Sequence, residues 1–142
     1  MSLDPASDGM SAMLRRILAT TDGSERAYRA VSFAASLAEK FGAGLSLVHI
    51  RGDSGDMPAG VREQAQRANA ELVILAHERP DEAICDYAQE ANIDAIVLGN
   101  YGMSERKQFL MSNIPNRVSH NAPCTVIIVD TRDDTWKRRS KR

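Results

Sequence analysis

The sequence lacks the features that mark membrane-spanning, disulfide-bonded and nucleic-acid-binding proteins. No apolar run approaches the roughly 18 residues that a membrane span needs, and no signal peptide opens the chain. A formal net charge of −1 provides no overall field that would attract nucleic acid or an anionic membrane. The 2 cysteines, Cys85 and Cys124, lack metal-ligand spacing and lie among apolar residues, so we expect two buried, reduced thiols. We therefore expect a cytoplasmic protein with no membrane or nucleic-acid partner.

Recognisable catalytic signatures are also missing. The chain has no Walker A motif, no G-x-S-x-G elbow and no G-x-G-x-x-G turn. Its 3 histidines, His49, His77 and His120, show no ligand spacing to one another, so packing or surface roles are expected rather than metal binding. No general base, carboxylate pair or metal-binding pair stands out, and these residues alone do not predict an enzyme.

The sequence does contain one long patterned region between two polar ends. With 142 residues, 43% hydrophobic and 26% charged, the chain fits one compact domain. Residues 1–12 are small, polar and aperiodic, which predicts a disordered leader. Residues 133–142 include a basic run beside Trp136, which predicts a solvated tail, with contact to phosphate groups as the alternative. The folded domain is expected to span residues 13–132.

Within this region, short apolar runs alternate with amphipathic segments. Strands are predicted at residues 16–21, 44–50, 71–77, 96–98 and 124–129. The first helix is predicted to begin after a Ser24 N-cap and to stop at Gly42. Further helices are predicted at residues 58–70, from Pro80 to Ala91, and after an Asn113 N-cap.

The alternation predicts an α/β fold with a parallel sheet and helices on both faces. Right-handed crossovers leave few topologies, and we expect an open, five-stranded, Rossmann-like sheet in the order 3-2-1-4-5. A phosphoacceptor receiver domain is excluded, because it needs an Asp at the end of strand 3 and an acidic pair after strand 1. This chain has Ala76-His77 and a lone Asp22 at those places.

The candidate site lies where strands 1 and 4 end, since ligands bind beyond the carboxyl ends of the strands at the point where the strand order reverses. Strand 4 runs into Gly99, and Gly102 follows three positions later. Glycines there let backbone N–H groups approach an anion. The sheet order places Thr21 and Asp22 beside this turn. The alternatives are glycines that only turn the chain and an Asp22 that only caps a helix.

Four segments resemble the universal stress protein (UspA) family. They are residues 17–25 (ILATTDGSE), 47–50 (LVHI), 96–102 (IVLGNYG) and 121–129 (NAPCTVIIV). The resemblance covers residues 14 to about 132, and the combination of the first and last segments is fairly specific. It implies a Rossmann-like fold, frequent homodimers and, in one branch of the family, ATP or another adenine nucleotide at the switch point.

The nucleotide-binding branch carries the motif G-x2-G-x9-G-[S/T], from which this chain departs. Gly99 and Gly102 match the first two glycines, but Ser112 stands at the third and Asn113 at the hydroxyl position. If the third position needs a positive φ, a Cβ there costs on the order of 1 kcal/mol or more. Pro115 also removes one N–H group from the start of the following helix. The loop keeps part of a triphosphate cradle.

The resemblance implies a regulatory module that binds ATP, with Mg, or another adenine nucleotide through a degenerate phosphate loop. The implied nucleotide-binding residues are Thr21, Asp22, Ile50, Gly99, Gly102, Ser112 and Asn113. The alternative is an interaction protein of the same fold that binds no nucleotide. Slow hydrolysis of ATP is the most enzymatic activity that we expect.

Strand 5 predicts the oligomeric state. It is apolar on both faces and last in the predicted order, so it is an edge strand, and an uncovered apolar edge is an aggregation hazard. Pairing with its twin across a two-fold axis removes that edge. We therefore expect a homodimer through strand 5, while protein partners cannot be identified from these residues.

Overall fold

The computed structural model describes residues 14–51, 57–100 and 114–131. They form a five-stranded parallel sheet in the order β3-β2-β1-β4-β5, which confirms the predicted fold class. The strands are β1 (Arg16–Thr20), β2 (Gly44–Arg51), β3 (Glu71–Ala76), β4 (Ala95–Gly99) and β5 (Thr125–Val129). The helices are α1 (Glu25–Phe41), α2 (Ala59–Arg67), α3 (Pro80–Glu90) and α4 (Ile114–Asn121). None of these four helices is long and apolar enough to cross a membrane.

The sheet separates two hydrophobic layers, which explains why its central strands are apolar throughout. Successive side chains of a strand point to opposite faces. In β1, Ile17 and Ala19 pack in the layer formed by α1 and α2, whereas Leu18 packs in the layer formed by α3 and α4. Each face is therefore covered by two helices, as the alternation of elements predicts.

The first crossover begins and ends at the predicted residues. Ser24 is the N-cap of α1, and its Oγ accepts a hydrogen bond from the backbone N–H of Ala27 at 3.0 Å. Gly42 ends the helix with φ 65°, a left-handed conformation that is strained for residues with a Cβ. Since β1 ends at Thr20 and α1 begins at Glu25, residues 21–24 form the whole connection between them.

Several element boundaries differ from the predictions by a few residues. Thr21 lies just beyond β1, and Cys124 just precedes β5. Helix α2 ends well before residue 70, because Asn69 adopts φ 53° and the chain leaves the helical conformation there. The predictions for residues 1–12, the loop at 103–111, the Asn113 cap and the tail at 133–142 lie outside the described residues.

The cysteine prediction was wrong in one respect. Both thiols are free, as expected, but Cys85 and Cys124 are only partly buried, at the margin of the layer formed by α3 and α4. Burial raises the pKa of the Cys85 thiol, and Asp81 and Asp86 raise it further. Burial likewise raises the pKa of Cys124. Both thiols therefore stay protonated at neutral pH and are weak nucleophiles.

Both edge strands carry an exposed isoleucine. Ile74 on β3 is 38% exposed, and Ile128 on β5 is 45% exposed. The remaining apolar side chains of β5 are partly buried. The predicted edge position of β5 is confirmed, and within the described residues its outer side has no neighbouring strand.

Asp94 joins the start of β1 to the start of β4. Its Oδ2 accepts hydrogen bonds from the backbone N–H groups of Arg15 and Arg16, both at 2.9 Å. Its own N–H donates to the carbonyl of Arg16 at 2.8 Å. The Asp94 carboxylate therefore helps to align β1 with β4 where these strands begin, at the end of the sheet opposite the candidate site.

Replacing Asp94 by Ala should lower the free energy of unfolding by about 1–2 kcal/mol, because two backbone donors lose a charged acceptor in a partly exposed position. Urea denaturation would measure the loss. Asp86→Ala, on the exposed side of α3, is the matched control and should unfold at the same urea concentration as the parent. An Asp94→Ala protein as stable as the control would contradict this role.

Candidate functional site

The carboxyl ends of three neighbouring strands meet at one edge of the sheet. The pairing of β1 with β4, continued past the strand ends, places Thr21 level with Gly99. The pairing of β1 with β2 places Asp22 level with Ile50. Adjacent strands lie about 4.8 Å apart, so the structure brings these four predicted site residues together.

Asp22 is held in a defined orientation by the loop that carries it. Its Oδ1 accepts a hydrogen bond from the backbone N–H of Ser24 at 2.9 Å, which closes a turn around Gly23. Ser24, and not Asp22, caps α1. The side chain of Asp22 is half-buried. Its hydrogen bond to the Ser24 N–H places the carboxylate beside the N-cap of α1, where the helix dipole favours a negative charge.

Thr21 faces the interior. Its side chain is 1% exposed, and its hydroxyl donates to Oε1 of Gln64 while accepting from the N–H of Gly23 at 3.0 Å. Its N–H donates to the carbonyl of Val48 at 3.0 Å. Its carbonyl accepts from Nδ1 of His49, also at 3.0 Å. Because these groups are engaged within the protein, Thr21 supports the loop, and Asp22 is the more exposed of the two residues.

Gln64 links the loop to α2. It is a buried polar side chain, 3% exposed, on the inward face of that helix. Besides accepting from Thr21, it donates through Nε2 to the carbonyl of Ser24 at 2.8 Å. One side-chain amide therefore bonds to the loop on both sides of Asp22. We call this pair of hydrogen bonds, from Thr21 and to Ser24, the Gln64 bridge.

The start of α2 lies directly against the backbone of the same loop. A Cβ added to Gly60 would lie 2.2 Å from the carbonyl oxygen of Gly23, far inside contact distance. Gly23 itself has φ 89°, and a Cβ there would lie 3.2 Å from side-chain atoms of Pro58 and Val61. The close approach requires a glycine at position 60, and the positive φ favours a glycine at position 23.

Asn100, which directly follows Gly99, joins the end of β4 to the end of β5. Its N–H donates to the carbonyl of Val129 at 3.0 Å. Its Oδ1 accepts from the N–H of Thr131 at 2.8 Å and from the Thr131 hydroxyl at 3.2 Å. Thr131 is fully buried. These hydrogen bonds hold Asn100, and with it the end of β4, against the end of β5.

The remaining predicted site residues, Gly102, Ser112 and Asn113, lie outside the described residues. A groove of about 460 Å³ runs along the N-terminal half of α1. The described residues that line it are Glu25, Arg26, Tyr28, Arg29, Ser32 and Thr131. It begins one residue beyond the Ser24 cap, so it adjoins the switch point without including the four site residues that meet there.

The histidines fit the predicted packing and surface roles. His49 is buried and bonded to the loop, whereas the exposed His77 accepts from the N–H of Arg79 through Nδ1 at 2.9 Å. Across the described parts of the chain, no group of three or more His, Cys, Asp or Glu residues is placed to hold a metal ion.

Sequence reasoning missed Gln64 and Asn100. Gln64 lies three residues after Val61 and directly before Ala65, on the face that the helical periodicity assigns to the core. A polar residue at such a position is a signal that could have identified a buried partner, although not which one. Asn100 lies between the two glycines of the predicted turn. Asn is common in turns, so no signal in the sequence distinguishes Asn100 from an ordinary turn residue.

Comparison with known proteins agrees with this architecture. A sequence model of the universal stress protein family matches residues 13–72 and 59–130. The universal stress protein encoded in the 3′ region of the QAH/OAS sulfhydrylase of Thermus aquaticus is 30% identical over 82% of this chain and 99% of its own length. Universal stress protein YxiE of Bacillus subtilis is 25% identical with the same coverage. A universal stress protein crystallised in complex with cAMP superimposes with a TM-score of 0.70 and 25% identity, over 83% of this chain and 98% of that one. With its sheet order and its matched length, this chain belongs to the universal stress protein family.

Proposed function

We propose that the chain is a regulatory module that binds ATP or another adenine nucleotide at the switch point between β1 and β4. The observation that carries this proposal is the meeting of Asp22, Ile50 and Gly99 at the carboxyl ends of three adjacent strands. Crevices of this kind bind nucleotides in open parallel sheets. The structurally similar protein crystallised with cAMP supports the adenine class of ligand.

The adenosine end is proposed to lie against Asp22 and the backbone near Ile50. A carboxylate accepts hydrogen bonds, and adenosine offers an amino group and ribose hydroxyls as donors. The Ser24 N–H holds one carboxylate oxygen in place before any ligand arrives. Such preorganisation reduces the conformational entropy that binding would otherwise cost.

The phosphate end is proposed to lie over Gly99 and Gly102, with Ser112 and Asn113 completing the loop. The hydrogen bonds of Asn100 to Val129 and Thr131 hold the backbone directly after Gly99 in place. The proposed phosphate contact at Gly99 would therefore be made by an ordered backbone. The Asn113 amide offers a donor in place of the hydroxyl that the family motif carries. We expect ATP to bind as its Mg complex, with the degenerate loop weakening the contacts to its terminal phosphates.

Asp22→Ala should weaken binding of ATP and of AMP at least tenfold, which corresponds to roughly 1.4 kcal/mol. Asp22→Asn keeps an oxygen that accepts from the Ser24 N–H, but its amide turns donors toward the donors of adenosine, so it should also weaken binding. Isothermal titration calorimetry with Mg-ATP, AMP and cAMP would measure each affinity.

The control for this experiment is Asp86→Ala, which should bind like the parent because Asp86 lies exposed on α3. If the parent binds none of the three nucleotides, the pocket serves another purpose, and the non-nucleotide-binding interaction protein replaces this proposal. Equal affinities of the parent and both Asp22 variants would remove Asp22 from the site.

The double substitution Ser112→Gly, Asn113→Ser should tighten the binding of Mg-ATP by about tenfold, or roughly 1.4 kcal/mol, because it removes a Cβ and restores a hydroxyl donor. AMP lacks the terminal phosphates, so its affinity should change less. Gly99→Val should abolish binding of both by blocking the backbone approach. An unchanged ATP affinity in the double variant would argue against a phosphate contact at these positions.

The proposal includes a homodimer formed through the outer side of β5. The supporting observation is that this edge strand carries Ile128, 45% exposed, and presents backbone donors and acceptors beyond the last described strand. Pairing two β5 strands about a two-fold axis would satisfy these groups and cover apolar side chains. The same edge would serve the alternative function, a dimeric interaction protein.

Ile128→Lys should convert the dimer to a monomer at micromolar concentration, because a charged side chain on an edge strand opposes strand pairing. Ile74→Lys places the same charge on the opposite edge strand, at a similarly exposed isoleucine, and should leave the dimer intact. Size-exclusion chromatography with light scattering distinguishes the two. A monomeric parent, or a dimer that only Ile74→Lys disrupts, would overturn the β5 interface.

A further inference from the structure

A buried glutamine outside the crevice is hydrogen-bonded to both ends of the loop that carries Asp22. Gln64 is 3% exposed and belongs to α2, which contributes no predicted site residue. Its amide accepts from the hydroxyl of Thr21 and donates to the carbonyl of Ser24. Those two residues flank Asp22 and Gly23, so the Gln64 bridge holds the loop at both ends.

The two ends of the loop are not equally secured without this bridge. Thr21 also forms hydrogen bonds to β2, through the Val48 carbonyl and the His49 ring. These two bonds would hold Thr21 in place without Gln64. The Ser24 carbonyl, besides its helical bond from the N–H of Tyr28, relies on Gln64 for its link to α2. Loss of the bridge should therefore move the Asp22–Ser24 side of the loop while Thr21 stays in place.

Close contact between the backbones of Gly60 and Gly23 also holds the start of α2 against the loop. The 2.2 Å separation that a Cβ on Gly60 would have from the Gly23 carbonyl oxygen shows that helix and loop backbones already touch. A buried amide with an unpaired donor or acceptor is costly, so the hydrogen bonds and the packing favour the same arrangement. The loop and the first turns of α2 behave as one packed unit.

We propose that Gln64 is a positioning residue of the adenine-nucleotide site, which sets the place of the Asp22 carboxylate by holding Thr21 and Ser24. This inference rests on the proposed function. It assigns to α2 a part in binding, although Gln64 touches no ligand. It also makes the effect reciprocal, because a nucleotide that needs the ordered loop stabilises the contact of α2 with that loop.

The first test compares Gln64→Leu with Gln66→Leu, an exposed position on the same helix. Calorimetry with Mg-ATP and AMP gives the affinities, and hydrogen exchange gives the protection of the amides of Gly23, Ser24 and Ala27. These three N–H groups donate to side chains within the loop. Gln64→Leu should bind at least tenfold more weakly and exchange faster at these amides, whereas Gln66→Leu should match the parent in both.

The second test uses Gln64→Glu, in which the introduced carboxyl group replaces the bridge only when it is protonated. The protonated group has an O–H to donate to the Ser24 carbonyl and an oxygen to accept from Thr21. Burial beside a carbonyl raises the pKa of such a carboxyl. The nucleotide affinity of the Gln64→Glu protein, divided by that of the parent, should therefore be highest at pH 5.5 and fall as the pH rises to 8.5. The same ratio for Gln66→Glu should stay constant.

Any of four results would overturn the inference. Unchanged exchange at the loop amides in Gln64→Leu would show that the bridge does not order the loop, and this measurement needs no nucleotide. Faster exchange with unchanged affinity would reduce Gln64 to a stabilising residue. A weakened Gln64→Glu protein with a constant ratio across the pH range would trace the loss to packing. If the parent binds no nucleotide, the proposed function fails and the positioning role fails with it, while the exchange data still report on the bridge separately.

Discussion

The central place of β1 in the sheet is the constraint on which the rest of the structure depends. Because β1 pairs in parallel with β2 on one side and β4 on the other, the chain must build outward through β3 and then return to the opposite side. Right-handed crossovers in two directions put α1 and α2 on one face and α3 and α4 on the other. The helices that follow β1 and β4 therefore lie on opposite faces of the sheet, and in open parallel sheets a switch point of this kind is where ligands bind.

Much of this fold could be predicted because its determinants are local. The Ser24 cap, the Gly42 stop and the apolar runs of the strands depend on contacts within a few residues, and sequence periodicity records such contacts directly. The partial exposure of Cys85 and Cys124 could not be predicted in this way. Their neighbours in sequence include apolar residues, but their exposure is set by their location at the margin of the layer formed by α3 and α4.

The same distinction between local and long-range contacts applies to the candidate site. Thr21 and Asp22 could be placed beside Gly99 from topology alone, since parallel strands align their carboxyl ends. Which of the two faces the interior could not be predicted, because the answer depends on Gln64 and His49 in other elements. In the structure Thr21 is buried and bonded within the protein, whereas Asp22, the next residue of the loop, is half-buried.

The sequence separation of these contacts divides the candidate site between two parts of the chain. Thr21 and Gln64 are 43 residues apart, and both belong to the β1-α1-β2-α2 half of the chain. Arg15 and Asp94 are 79 residues apart, and their contact forms only when β4 joins. The loop that carries Asp22 is therefore held by contacts within the N-terminal half of the chain. Gly99 is brought beside it by the pairing of β1 with β4, which joins the two halves of the chain.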